Sequence, residues 1–327
     1  MEEMLNYTLK ASIGLLALYL FYYVLLRRQN SFGFNRLYLL LAPLTAVLLP
    51  LLTWPAILSP EAAVQETLQA VRLSEVMVTA YGPASTQASA SSFTLTAVLT
   101  GLYLTGIVVL LFRLFRQLWQ IKKAKAAAIP VVTEEDAAIY QLDSHYPTFA
   151  FGNSVFLSRQ QEQLSEPEKQ QIVAHELAHV NLGHTWDVLF YELLSAVLWF
   201  HPAVWLLKQE LRDVHEYQAD AAVVKEHQTQ QYTSLLSKEA LLNMGLPVGS
   251  HFTKPQVLKR LHMLQRQGQG QKPGWLRPLL VLPLLGGLTF ILARQQVSAL
   301  PASGKGTKAN IATTTENTPA STGPAIK

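Results

Sequence analysis

Long apolar runs separated by polar connections dominate the pattern of this chain. Tyr7–Leu26, Leu37–Trp54, Phe93–Phe112 and Trp275–Ala293 each approach the roughly 20 residues that carry an α-helix across a bilayer. They predict four transmembrane helices. Between the third and the fourth the pattern changes twice. From Ala126 to Ser158 it breaks into short β-like runs, IPVVT, AIYQL, TFAF and SVFLS, and Gly152 and Asn153 punctuate the last two. A small sheet or hairpin is expected there. The stretch LSEPEKQQIVAHELAHV then takes up a helical character. Ser165 and Glu168 have capping-box spacing, and Pro167 suits a first turn. The expectation is an α-helical membrane protein with an α+β domain between its third and fourth spans.

Composition supports the membrane reading. Half of the 327 residues are hydrophobic and only 15% are charged. The first run does not read as a signal peptide, because Glu2 and Glu3 precede it and no small-x-small site follows. Basic residues set an orientation. Arg27, Arg28 and Arg36 follow the first run, and Arg113, Arg116, Lys122, Lys123 and Lys125 follow the third, whereas Pro55–Ser92 holds only Arg72. The positive-inside rule then puts the domain after the third span in the cytoplasm. The expected segments are two spans in 1–54, an extracytoplasmic loop at 55–92, a third span at 93–115, the cytoplasmic domain at 116–274, a fourth span at 275–293 and an extracytoplasmic tail at 294–327. The tail, rich in small and polar residues, is expected to be disordered. The net charge of +4 reflects this asymmetry, and no basic stripe predicts nucleic-acid binding. No cysteine is present, so metal ligands must come from His, Asp and Glu.

Candidate chemistry centres on His175, Glu176 and His179, which form an HExxH pattern. Histidines four apart share one helical face and can hold zinc, while the adjacent glutamate suits a general base for water. A metzincin third histidine is absent: Leu182 and Thr185 stand at the required positions, and His184 is one residue out of register. Downstream, LRDVHEYQADAAVV offers Glu216 as a third ligand and Asp220, on the same face, as the acceptor that orients a ligand histidine. The alternative is a pair of solvated charges; the small neighbours Ala219, Ala221 and Ala222 favour close packing and hence the ligand reading. His184 and Asp187 fit equally a supporting role or a polar surface. His201, before Pro202, reads as a helix break, His215 as exposed, and the basic segment around His251, Lys254, Lys259, Arg260 and His262 as solvated or membrane-facing.

The motifs TFAFGNSVFLS, IVAHELAHVNLGHTWD, LWFHPAVWLLKQELRDVHEYQADAAVV and HFTKPQVLKRLHML stand in the order seen in BlaR/MecR-type membrane metallopeptidases. The resemblance covers roughly Ala126–Gln265. It implies a gluzincin-like cytoplasmic zinc metallopeptidase domain with one Zn2+ per chain. His175, His179 and Glu216 are then ligands, Glu176 the base and Asp220 the residue behind a ligand. It also implies a strand edge near Phe149–Leu157 where substrate adds, and a cytoplasmic transcriptional repressor as substrate in signal transduction. The best-known members carry an extracellular penicillin-binding domain after the last span; here the tail contains no Ser-x-x-Lys, which sets direct β-lactam sensing aside. The rivals are an HtpX-like housekeeping protease and a non-proteolytic scaffold with a structural zinc. LSEVMVTAYG in the outer loop reads as a loop strand of no special function, and the alternative is that the loop or the tail binds an envelope partner.

A fifth apolar run, Trp186–Leu207, is long enough to span. It is expected not to cross, because His179 before it and Glu216 after it must reach one ion. A dip into the membrane or a surface position, broken near His201–Pro202, satisfies that requirement.

Overall fold

The structure is a computed structural model and describes residues 2–55, 90–133, 137–142, 147–159, 164–242, 250–268, 279–292 and 294–296. The chain forms two compact units. The first, Met1–Trp54 with Ser74–Gln295, carries every element discussed below; of the second, Pro55–Leu73 with Gln296–Lys327, only Pro55 and Gln296 are described. The expectations for LSEVMVTAYG and for the tail beyond Gln296 lie outside the described residues.

Three helices among the described residues are long and apolar enough to cross a membrane. Helix α1, Glu2–Phe21, continues as a π-turn over Tyr22–Leu26. Helix α2, Phe32–Leu48, ends in a 3-10 turn at Leu49–Leu51. Helix α3, Ala90–Ala127, has 38 residues and runs past its apolar part into the basic stretch. Helices α1 and α2 pack as a hairpin around Leu15, Leu18, Leu39, Ala42 and Ala46, all buried. In apolar surroundings the lipid offers no hydrophobic preference between helices, so packing and hydrogen bonds hold them together. Tyrosine hydroxyls supply several such bonds. Tyr38 donates to the Leu18 carbonyl at 2.8 Å and Tyr7 to the Val47 carbonyl at 3.0 Å. At the α1–α2 turn, Asn35 Nδ2 donates to the Leu26 carbonyl at 3.2 Å and Gln29 Nε2 to that of Leu25 at 3.0 Å. These side chains serve the last carbonyls of α1, which have no continuing helix to accept. Helix α3 instead leaves Leu95, Val98, Leu102, Val108 and Phe112 exposed, a surface suited to lipid.

After α3 the β-like runs form one four-stranded sheet: β1 Ile129–Thr133, β2 Ala138–Leu142, β3 Phe149–Phe151 and β4 Ser154–Ser158, in the order β1-β2-β4-β3. The outer pairings are antiparallel and β2–β4 is parallel, with Ile139 opposite Val155. Val155 and Phe156 on the central strand β4 are fully buried. Gly152 turns the β3–β4 hairpin at φ +57°, a left-handed conformation that other residues adopt at a cost.

Helices α4 Glu166–Asn181, α5 His184–Val197, α6 Pro202–Glu226, α7 Thr229–Leu242 and α8 Ser250–Gly268 follow. The capping box at Ser165 and Glu168 is present, and Pro167 lies in the first turn of α4. Helices α5 and α6 form the hairpin that accommodates the fifth apolar run. The chain leaves α5 at Leu198 and starts α6 at Pro202, with His201 as its N-cap. The hairpin packs among α1, α2 and α3, and Tyr191 donates to the Leu39 carbonyl at 2.6 Å. At its tip Tyr103 donates to the Val197 carbonyl at 3.0 Å, and Trp199 Nε1 to the Tyr103 carbonyl at 3.3 Å. The hairpin returns to the end from which it left. Helix α9, Val281–Leu292, is apolar but has only 12 residues, and Leu292 lies beside Gly14 of α1.

Candidate active site

Helix α4 packs on α6, and this contact assembles the site. His175 and His179 lie one turn apart on α4, and their Nε2 atoms are 3.2 Å from each other. Glu216 on α6 faces them, with Oε2 3.6 Å from His175 Nε2 and Oε1 4.0 Å from His179 Nε2. One ligand atom from each residue falls within 4.8 Å of the others. Donors bound about 2.0–2.1 Å from a tetrahedral ion sit about 3.3 Å apart, so sub-ångström shifts close these three atoms around a metal. Two nitrogens and one carboxylate oxygen are a donor set that zinc accepts. Side-chain exposures of 17% at His179 and 20% at Glu216 leave both partly accessible. Glu176, next to His175 on α4, is half-buried.

Behind the three lies a fully partnered polar layer. His175 Nδ1 is 2.9 Å from the Tyr232 hydroxyl and 3.3 Å from Asp220 Oδ1. That hydroxyl donates to Asp220 Oδ1 at 2.7 Å. An Nδ1–H on His175 therefore has acceptors, and Nε2 is left to face Glu216. Arg260, from α8, binds Asp220 through Nε and through a second nitrogen, and reaches Glu216 Oε2 at 3.1 Å. Asp220 is 1% exposed, so without such partners its charge would be costly.

These contacts set the charges when no metal is present. Burial opposes a charge on His175, but its bonds to Asp220 and Glu216 outweigh this and raise its pKa to about 9. Burial and the neighbouring His175 charge lower His179 to about 4. Burial likewise opposes a charged Glu216, yet the bond from His175 and the Arg260 guanidinium hold its carboxyl well below the usual range.

A family model described as BlaR1 peptidase M56 matches residues 3–264. The chain belongs to this family. The match runs from α1 into α8 and so includes the α1–α2 hairpin, the sheet and all the residues of the site. As an M56 peptidase the chain is a protease, and the family implies a metal cofactor, for which His175, His179 and Glu216 are a fitting group. The helices long enough to span associate it with a membrane. No curated protein matches the chain.

The structure brings His175, His179, Glu216 and Asp220 into one cluster, and Glu176 follows His175 on α4. It corrects two other expectations. His215 is not exposed: it is 3% accessible and its Nε2 donates to Asp187 Oδ2 at 2.8 Å. Helix α6 packs against α2, α4 and α5, so a turn of about 100° away from Glu216 leads into another interface rather than to solvent. The basic residues of α8 are not simply solvated or lipid-facing. Arg260 enters the site, and Lys259 bonds Asp213 at 2.5 Å, because the acidic residues of α6 need counter-charges; His262 does remain exposed.

Three functional candidates were not singled out by the sequence. Tyr232 has no local signal. Arg260 lies inside the motif HFTKPQVLKRLHML but is flanked by Lys259, and which of the two turns inward depends on α8 packing. Arg36, one of the topogenic arginines, forks onto Asp187 at 2.6 and 3.2 Å.

Proposed function

We propose that this M56 peptidase is a zinc endopeptidase of the bacterial inner membrane, with its active site facing the cytoplasm. His175, His179 and Glu216 hold one zinc ion, and Asp220 orients His175. The supporting observation is a His-His-Glu group of three ligands among the described residues, backed by a satisfied polar layer: a structural zinc site is closed by four protein ligands, whereas a catalytic one keeps a position free. Zinc held by these three residues would supply Lewis acidity toward a carbonyl and could lower the pKa of a water to about 7. Glu176 takes the proton from the attacking water and passes it to the leaving amine. Strand β3, an edge of the sheet that also packs on α4, offers backbone groups to an extended substrate.

The four-span arrangement takes α9 as the described part of the fourth span. Helix α9 packs on α1 and on the turn Leu49–Leu51, as a bundle member would. The turn between α1 and α2 lies on the side of the site, since Arg27 bonds Glu210 and Arg36 bonds Asp187, and basic turns are retained in the cytoplasm. The substrate is a cytoplasmic regulatory protein such as a transcriptional repressor, cleaved in response to a signal at the membrane. The test compares wild-type protein in nanodiscs with Glu176→Gln, scoring zinc content and cleavage of unfolded protein substrates. Zinc should be retained in both, with activity at least about 100-fold lower in the variant, as expected on losing a general base. Equal activity in the two would remove the mechanism.

A further inference from the structure

The second histidine of the pair is supported differently from the first. His175 is backed by a tyrosine and a carboxylate, but His179 Nδ1 lies 2.8 Å from Nδ1 of another histidine, His184. Two ring nitrogens at that distance need one proton between them. With His179 Nε2 turned to the metal position, Nδ1 carries the hydrogen and His184 Nδ1 must accept it. His184 then carries its own hydrogen on Nε2, where Gln218 Oε1 accepts at 3.1 Å. Each donor has an acceptor and each ring is neutral.

His184 is itself fixed on two sides. It is the first residue of α5 and follows Gly183, whose φ of +67° makes the left-handed turn that reverses the chain after α4 and returns the imidazole toward His179. Its face stacks on His215, with ring centroids 4.0 Å apart and planes 13° from parallel. His215 is held by its bond to Asp187, and Asp187 is gripped by the Arg36 fork from α2. His184, Asp187 and His215 are 3%, 7% and 3% exposed. Three buried polar residues therefore form an unbroken series from a membrane-spanning helix to a candidate metal ligand.

We infer that His184, His215, Asp187 and Arg36 are positioning residues that fix the ring of His179 from α2, so that metal-site geometry depends on how α2 seats against the α5–α6 hairpin. The inference rests on the zinc reading above. The carboxylate that commonly orients a ligand histidine is replaced here by a neutral imidazole, with the carboxylate one stacked ring further back. A bidentate arginine at the far end gives the series an angular anchor that a lysine's point charge lacks.

The test measures zinc affinity by chelator competition, together with the visible absorption of the Co(II)-loaded full-length protein, in wild type and in three variants. His184→Phe keeps a ring to stack on His215 but removes the acceptor; affinity should fall about 10–100-fold and the cobalt bands should shift. His184→Asn returns an acceptor oxygen about where Nδ1 lies and should recover much of both. Arg36→Gln acts from a distance, at a side chain 21% exposed, and should shift the cobalt bands in the same direction as His184→Phe. If His184→Phe does not fold, Arg36→Gln decides the matter alone. Wild-type affinity and spectrum in folded Arg36→Gln and His184→Phe overturn the inference. A wild-type protein that takes up neither zinc nor cobalt overturns instead the zinc reading on which it stands.

Discussion

His175 sits between two carboxylates, and that placement ties metal binding to pH. With its pKa raised to about 9, it carries a proton at neutral pH in the metal-free protein, and a metal must expel that proton to bind. The sign follows directly. Apparent zinc affinity should rise with pH, by up to about tenfold per unit, until His175 loses its proton unaided near pH 9, and should then level off. His179, at about 4, is already neutral across this range and adds no slope. Competition titrations at pH 6, 7, 8 and 9 measure this; a flat profile between 6 and 8 contradicts the charge assignment. Glu216→Ala removes a candidate ligand and should abolish tight zinc binding, whereas Asp220→Asn should weaken it by about 10–100-fold. Equal effects from the two would mean that Glu216 is no more than another support. The HExxH pair, Glu216 and Asp220 could be singled out because ligand chemistry imposes a spacing on neighbouring residues. Tyr232, Arg260 and Arg36 could not, since each arrives from a separate helix and its role is set by packing.

The α5–α6 hairpin shows how a chemical requirement constrains an element. Trp186–Leu207 alone reads as a span, and the need for His179 and Glu216 to meet, with the cost of Asp187 and Glu192 in lipid, argues for a return. The helix break at Leu198–His201 agrees with that argument. What hydrophobicity does not reveal is the tip's partner. A Cβ on Gly106 of α3 would lie 2.5 Å from the Trp199 ring, while one on Gly101 would meet nothing within 4 Å. Gly106→Ala should therefore force Trp199 aside at a cost of about 1–3 kcal/mol and lower the thermal midpoint in detergent. Gly101→Ala should be neutral or slightly stabilising, because alanine favours helix. Identical midpoints for the two variants would show that α3 does not pack on the hairpin tip. The four short strands were readable as strands, but not their order, because the parallel β2–β4 pairing depends on contacts outside each run.

For the molecule as a whole, the arginines used to orient the chain have a second role. Arg27 and Arg36 are ion-paired to Glu210 and Asp187, so the turn between α1 and α2 is joined to the peptidase helices as well as marked as a basic loop. Orientation and site therefore stand or fall together. Single cysteines at Gln163, Thr185 and Lys208, in a chain without native cysteine, should label only from the cytoplasmic side, and one at Ser85 only from outside. Labelling of Thr185 and Lys208 from opposite faces would mean that the hairpin crosses. The central claim is that His175, His179 and Glu216 bind one zinc ion, and zinc K-edge X-ray absorption of the purified wild-type protein tests it most directly. One zinc per chain is expected, with two imidazole nitrogens and carboxylate or water oxygens at about 2.0–2.2 Å. Tight zinc without histidine scattering, or no zinc in a folded protein supplied with it, would contradict the account.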